Sequence, residues 1–494
     1  MAGKKTQVTG GARVGNGKKK MGKMTKTLVT ALVAVVVLAG AVAAINFIPE
    51  EEESSGSEDK SVVLFSENRK SITEVKVENE SGGYTAVWND GKVTIPALEG
   101  VPENVSLISA LSLKATKITA TQMITEDLSN EASYGLDEPR ARVKISYGEG
   151  ESFEIEFGDS APGQAGVYAK CGGKIYITDA TTAAGFLYSD KELANLALTP
   201  TVDIGKEMVI FGDITLEGSS RKETIKIRRT ADENDSPLIV AAVFEMVEPH
   251  NRLVGLEATE VLFNSILNIN ATELLIIAPT EEEIKAHGLD VPYSSVKYML
   301  YESEELTDYQ EFGIYISEPD EEGYCNAMIE GSSGIYKIKY KENSLFDAEY
   351  KDMLDNMPVL PMIKNVAQLT VKFGEEEYAY TLDAPDEKTL NVSCRGETID
   401  TENFRVLYQT ILMLTGEEFV EGVTDLGDEY MTITYKYIDE RYEDSVLRLY
   451  EGPVRRYYIE INGGVDFTVK AQRVEDIEEK CAKLQNGEDI ELYY

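Results

Sequence analysis

The sequence contains only two histidines, and neither has neighbours suited to catalysis. Serine triads and most zinc sites need histidine as a base or a ligand. His250 lies in VEPHNR and His287 in KAHGLD, and both contexts are typical of solvated loops. The nucleophile, metalloprotease and phosphate-loop patterns GxSxG, HExxH and GxxxxGK[ST] do not occur. We therefore predict no catalytic, cofactor-binding or metal-binding residues.

Carboxylates are abundant, so a pair of them carries little information. The chain has 87 Asp and Glu against 48 Lys and Arg, a formal net charge of −39. Neighbouring acids such as those in residues 317–322 are expected by chance, and residues 425–429 place glycine too early for a calcium loop. The negative charge also excludes nucleic acid as a partner, because phosphate binding needs a basic surface.

The four cysteines are Cys171, Cys325, Cys394 and Cys481, and they are widely separated. They form no CxxC pair and have no histidine cluster beside them, which disfavours a structural zinc site. Four unpaired thiols and one or two disulfides are both compatible with this spacing.

The N-terminal region indicates a membrane anchor. Residues 1–27 form a basic arm without acids, and residues 28–48 are an uncharged apolar run, about the length that spans a bilayer. The basic arm predicts a cytoplasmic N-terminus and an extracytoplasmic body. Small residues at 41–44 leave a cleaved signal peptide as the alternative. Residues 49–60 follow as an acidic linker.

The remaining length suits about three domains. We predict α+β modules at 61–200, 201–362 and a divergent 363–494, each an antiparallel β-sheet with packed helices. In the first module apolar and charged residues alternate, as in 141–147 and 153–157, which indicates strands with one solvated face. A helix is predicted to close each module, near residues 181–193, 345–354 and 474–484.

A five-residue motif recurs in the first two modules. It is Gly135-Leu136-Asp137-Glu138-Pro139 in one and Gly288-Leu289-Asp290-Val291-Pro292 in the other, whereas residues 424–427 take its place in the third. Glycine permits positive φ and proline ends a helix, so the motif should turn the chain into the next strand. The alternative is a ligand site that uses the two aspartates as acceptors.

The first motif, with Phe157-Gly158-Asp159, Gly166-Val167-Tyr168 and Ile175-Tyr176 after it, resembles the domain-of-unknown-function 4340 family. Gly288 to Pro292, with Phe312-Gly313 and Gly323-Tyr324, resembles a second copy. The resemblance covers roughly 60–200 and 205–355 and is faint over 365–485. It implies one N-terminal membrane helix and extracytoplasmic repeats. It also implies an accessory envelope role, since some members are similar to proteins encoded beside ABC-type exporters. It implies no catalytic residues.

The expected function is therefore a non-enzymatic binding or accessory protein of the cell envelope. Its partners would be the bilayer, through residues 28–48, and an ABC-type transporter or another envelope protein. Two alternatives stay open. One is a cell-wall-glycan hydrolase that uses paired carboxylates, and the other is a transmembrane sensor.

Overall fold

The computed structural model describes residues 61–89, 91–125, 129–229, 243–384 and 389–492. The predicted basic arm, the apolar span 28–48 and the acidic linker lie outside these residues. Within the described ranges, no helix has both the length and the apolar character needed to cross a bilayer.

Three antiparallel sheets of nine strands each contain most of the regular secondary structure of the described residues. The first contains β1 Val62–Ser66, β2 Ile72–Asn79, β3 Tyr84–Asn89, β4 Lys92–Thr94, β5 Lys117–Met123, β6 Ala141–Tyr147, β7 Glu151–Ser160, β8 Val167–Cys171 and β9 Lys174–Thr178. The second contains β10 Ile210–Glu217, β11 Ile225–Arg229, β12 Phe244–Glu248, β13 Arg252–Leu253, β14 Ala271–Ile277, β15 Ser294–Tyr301, β16 Tyr309–Ile316, β17 Tyr324–Ile329 and β18 Gly334–Lys339. The third contains β19 Val366–Phe373, β20 Glu376–Asp383, β21 Asn391–Cys394, β22 Glu397–Ile399, β23 Glu418–Phe419, β24 Glu429–Tyr437, β25 Ser445–Glu451, β26 Arg456–Ile461 and β27 Gly464–Lys470.

The three sheets share one strand order. In the first sheet, β2, β3 and β4 run in succession to one edge, and the chain then crosses to β5 at the other side. It returns to the centre, where β6 lies beside β2, and β7, β8 and β9 lead back to β5. The second sheet repeats this path with β10–β12 and β14–β18, and the third with β19–β21 and β23–β27. One extra edge strand completes each sheet: β1, β13 and β22, respectively.

Helices are few and mostly short. They are α1 Val105–Lys114, α2 Ala180–Ala184, α3 Leu256–Asn264, α4 Glu281–Ala286, α5 Thr401–Leu412 and α6 Ala471–Gln485. In α1, Asn104 caps the first turn by accepting from the Leu107 N–H at 3.1 Å, and Ile108 and Leu111 enter the core of the first sheet. The architecture is therefore mostly β and α+β-like, in agreement with the expected antiparallel modules but with less helix.

Two of the three predicted closing helices are wrong. The segment 181–193 contains only α2, which ends at Ala184, and a 3-10 turn at Lys191–Leu193. Gly185, a residue with a low helix propensity, follows α2 directly. The segment 345–354 contains only a 3-10 turn at Tyr350–Met353. The third prediction is confirmed, since α6 spans residues 471–485.

Arg221 explains why residues 345–348 are not helical. Its guanidinium donates to the carbonyl oxygens of Leu345 at 2.6 Å, Phe346 at 2.9 Å and Ala348 at 3.1 Å. In a helix those oxygens would accept from backbone N–H groups further along the chain. Here the Arg221 side chain donates to these oxygens instead of the backbone N–H groups. Arg221 lies 124 residues before Leu345, so the sequence around residues 345–348 does not reveal this interaction.

The apolar core is continuous across the first two modules, whereas the third has a core of its own. A buried ion pair joins the second and third sheets. The Arg252 Nε lies 2.6 Å from the Asp466 Oδ2, and the two side chains are only 2% and 6% exposed. Arg252 also donates to the Gly464 carbonyl oxygen at 3.0 Å. The Nε and Nη2 groups of Arg252 thus both donate to residues of β27.

Candidate functional site

The first recurring motif lies in the connection between β5 and β6, which we call the first return crossover. A 3-10 turn at Glu131–Tyr134 ends at Gly135, whose φ is 64°. The Leu136 N–H donates to the Glu131 carbonyl at 3.0 Å, and the Gly135 N–H donates to the Ala132 carbonyl at 3.3 Å. These two bonds form a Schellman-type ending, which favours glycine at the left-handed position.

The first return crossover packs on the sheet face opposite α1. Leu136 is 2% exposed, and the Tyr134 ring contacts the Tyr168 ring at 4.8 Å between centroids. A Cβ at position 158 would lie 2.2 Å from the Tyr134 carbonyl oxygen, and one at position 135 would lie 2.5 Å from the Asp159 carboxyl carbon. Gly158 therefore allows close contact with the backbone of residues 134 and 135, and Gly135 allows close approach of the Asp159 carboxylate.

The second motif forms the same kind of turn in the second return crossover, between β14 and β15. After α4, the Leu289 N–H donates to the Ile284 carbonyl and the Gly288 N–H to the Lys285 carbonyl, each at 3.0 Å. Gly288 has φ 68° and Leu289 is buried. In the third sheet, residues 424–427 lie in the corresponding connection between β23 and β24.

The aspartates of the two motifs do not form a site. Asp137 and Asp290 are exposed, and neither accepts a hydrogen bond from any described residue. Pro139 and Pro292 each stand two residues before the first residue of the next strand. The geometry of both motifs is that of a turn, and nothing in it gathers ligands around the carboxylates.

The strand register corrects one part of the expected second copy. Ala141 pairs with Phe157 in the first sheet, and Ser294, at the same distance from its motif, pairs with Ile316 in the second. The residues that correspond to Phe157-Gly158 are therefore Ile316-Ser317, and the dipeptide Phe312-Gly313 lies four residues earlier. The pairing of Ala169 with Tyr176 and of Ala327 with Tyr336 shows that Ile335-Tyr336 corresponds to Ile175-Tyr176.

The face of the first sheet opposite α1, which we call its outer face, is only partly covered by the first return crossover. The uncovered part forms a charged channel. We call this channel the outer groove; its volume is about 400 Å³. Its charged lining residues come from four adjacent strands, β2, β6, β7 and β8: Lys76, Glu78, Arg142, Lys144, Glu154, Glu156 and Lys170. In β6 the inward residues Ala141, Val143 and Ile145 are fully or nearly buried, which explains why the residues between them face solvent.

Ion pairs connect the strands across the outer groove. Lys144 and Glu154 are directly opposite in the register and lie 3.1 Å apart, and Arg142 and Glu156 lie 3.3 Å apart. Lys170 lies 2.8 Å from Glu131 of the return crossover, and this hydrogen bond raises the pKa of Lys170. Since these side chains are 29–69% exposed to solvent, each pair contributes only about 0–1 kcal/mol to folding and can exchange partners at little cost.

The cysteines and histidines do not form a reactive centre in the described part of the chain. All four cysteines are free thiols, and burial raises the pKa of Cys325 and of Cys481 to about 12, the reverse of what a nucleophile needs. His287 caps α4 with its Nδ1 2.7 Å from the Glu283 carbonyl oxygen, and His250 is exposed. No cluster of three His, Cys, Asp or Glu side chains suited to a metal occurs among the described residues.

The outer groove could be foreseen only in part. Alternation marks Arg142, Lys144, Glu154 and Glu156 as outward residues, but the sequence does not show that Lys76 and Lys170 join them. That requires the order of the strands, which places β2 beside β6 and β8 beside β7.

Comparison with known proteins gives one match. Residues 88–292 match the family model described as a domain of unknown function (DUF4340), which confirms the resemblance seen in the sequence. The matched range includes the first return crossover, most of the outer groove and the second motif. No curated protein and no solved structure matches the chain.

Proposed function

Residues 88–292 belong to the domain-of-unknown-function family DUF4340, and from this premise we propose that the protein is a non-enzymatic binding or accessory subunit of the cell envelope. In this proposal residues 28–48 anchor the chain in the membrane with the N-terminus in the cytoplasm. The folded body then lies outside, where the outer groove docks on an extracytoplasmic part of a membrane partner, such as an ABC-type transporter.

The observation that carries the docking role is the charge pattern of the outer groove. One row alternates carboxylates and cations across the four strands, in the order Glu78, Arg142, Glu156 and Lys170. In the next row two lysines are adjacent, since Lys76 is opposite Lys144, and Glu154 follows. The other face of this sheet is held by a continuous apolar core. A partner with the complementary rows could replace the weak pairs within the groove by pairs across an interface. Complementary charges of this kind favour the correct partner and orientation.

The hydrolase alternative gains no support from the carboxyl groups. A glycosidase acid needs a raised pKa so that it keeps its proton. Among the described residues, every carboxyl group with a clearly altered pKa has it lowered; Glu78 in the outer groove is one, because it accepts a hydrogen bond from Lys76. No described feature favours the sensor alternative either.

The docking role predicts that Lys144→Glu lowers recovery of the partner roughly tenfold. The measurement is chemical crosslinking in intact membranes followed by pull-down and mass spectrometry. The single change places like charges at positions 144 and 154. The double change Lys144→Glu with Glu154→Lys restores that pair, so it should keep the wild-type free energy of unfolding to within about 1 kcal/mol while still losing the partner.

Lys206→Glu is the matched control, because Lys206 is an exposed lysine paired with Asp203 outside the groove. Its crosslinks should equal those of the wild type. Recovery of no other envelope protein, or an equal loss in Lys206→Glu, contradicts the docking role.

The predicted topology has its own test. Protease added to cells stripped of their outer layers should digest the body from residue 61 onward while cytoplasmic markers survive. A body that stays intact while known surface proteins are cut would contradict the extracytoplasmic location, and a mature chain that lacks residues 1–44 would favour the signal-peptide alternative.

A further inference from the structure

A second cleft lies between the segment that connects the first two modules and the hairpin of β15 and β16. The hairpin contributes the end of β15 and the start of β16. Its volume is about 500 Å³, within the usual range for small-molecule sites. Asn195 and Thr199 line it from the connecting segment, and Leu300, Glu302, Gln310 and Phe312 line it from the second sheet. It is separate from the outer groove, which lies on the first sheet.

The floor of the cleft is apolar and fixed in place. Leu300 and Phe312 are both half-buried, and the Phe312 ring stacks on the buried Tyr298 ring with centroids 5.3 Å apart. Tyr298 is itself only 2% exposed. The position of the Phe312 ring is therefore set by the core beneath it, and its remaining exposed surface is available for contact.

Hydrogen-bonding groups with unused capacity surround this floor. The Asn195 Oδ1 accepts from the Ala197 N–H at 3.1 Å, and the side-chain NH₂ group has no acceptor among the described residues. Thr199 is 6% exposed, and its hydroxyl oxygen accepts from the Ile269 N–H at 2.9 Å. Within the described chain the Thr199 hydroxyl proton likewise has no acceptor.

An acceptor stands on the sheet side of the cleft. The Glu302 carboxylate accepts from the Gln310 side-chain amide at 3.1 Å, and its other lone pairs are not used by described residues. The Gln310 amide orients the carboxylate. The lining thus combines two donors, a positioned carboxylate and an apolar floor.

This combination selects a class of ligand. The lining contains no lysine or arginine, and Glu302 would repel an anion. Sugar hydroxyls donate and accept hydrogen bonds at once, and a pyranose ring also has an apolar C–H face. We propose that this cleft binds an uncharged saccharide. Its ring would lie on Phe312 and Leu300, with its hydroxyls accepting from Asn195 and Thr199 and donating to Glu302. The proposal goes beyond the docking role and does not depend on it.

The test is calorimetric titration of the full-length protein with maltotetraose, cellotetraose and the tetramer of N-acetylglucosamine, with tetragalacturonate as the anionic comparison. At least one uncharged probe should bind, and Glu302→Ala should weaken that binding about tenfold, as expected when a charge-assisted hydrogen bond is lost. Because Glu302 is exposed, this change should leave the fold intact.

Glu311→Ala is the matched control, an exposed glutamate next to Gln310 in β16 that does not line the cleft. It should bind as the wild type does. The proposal is overturned if no uncharged probe binds at about 10 mM, if tetragalacturonate binds as well as the best of them, or if the two alanine variants lose affinity equally.

Discussion

Replacing Asp466 with alanine is expected to destabilise the protein by about 3–5 kcal/mol, because the Arg252 guanidinium would remain buried without its counter-charge. Arg252 is 2% exposed and lies 2.6 Å from the Asp466 carboxylate. Its other donors reach the carbonyl oxygens of Gly464 and Asn251 at 3.0 and 2.8 Å, and neither oxygen carries a full charge. Denaturant unfolding followed by circular dichroism would measure the loss.

The matched control is Asp203→Ala, which removes an exposed partner of Lys206 and should change the free energy of unfolding by less than about 1 kcal/mol. The double variant Arg252→Met with Asp466→Leu removes both charges and should recover most of the loss, because an apolar pair avoids the cost of desolvating ions. If Asp466→Ala behaves like Asp203→Ala, the buried pair does not hold the second and third sheets together.

Gly158→Ala is expected to destabilise the first module by about 2–3 kcal/mol. The added Cβ would lie 2.2 Å from the Tyr134 carbonyl oxygen and 3.0 Å from the Gly135 carbonyl carbon. Both are backbone atoms of a turn held by its own hydrogen bonds, so the return crossover would have to lift from the sheet. Thermal unfolding and hydrogen exchange at Leu136 would report the change.

Gly185→Ala is the control for that experiment. Gly185 has an ordinary helical φ of −64°, and the closest atom to its added Cβ is the Lys114 Cδ at 2.7 Å, in a flexible side chain that can move. Its effect should be at most about 1 kcal/mol. Equal losses in both variants would show that the contact with the return crossover is not what constrains position 158.

The sequence predicted the strands well where one face of a sheet is exposed to solvent and the other packs against the core. In β6, Val143 and Ile145 point inward and Arg142 and Lys144 outward, as the alternation indicates. Gly135 and Gly288 of the recurring motif both have positive φ in the structure. The prediction failed where a distant side chain decided the outcome, as Arg221 does at residues 345–348.

The sites were harder to foresee than the strands. The match of Phe312-Gly313 to Phe157-Gly158 relied on residue type, and only the pairing of Ser294 with Ile316 shows which positions correspond. The second cleft combines residues from a connecting segment and from two strand ends more than a hundred positions away. No local pattern in the sequence could have brought these residues together.

The shared strand order has a consequence for the way the chain folds during synthesis. In every module the strand β5, β14 or β23 emerges before the central strand that follows it, and its partner β9, β18 or β27 is the last strand of the module to emerge. Pairs such as Ala120 with Thr178 and Glu418 with Thr468 therefore have high contact order and close slowly. Until they close, the side of β5, β14 or β23 that faces its later partner has unpaired backbone groups. Nascent chains of this protein should thus rely on chaperones late in the synthesis of each module.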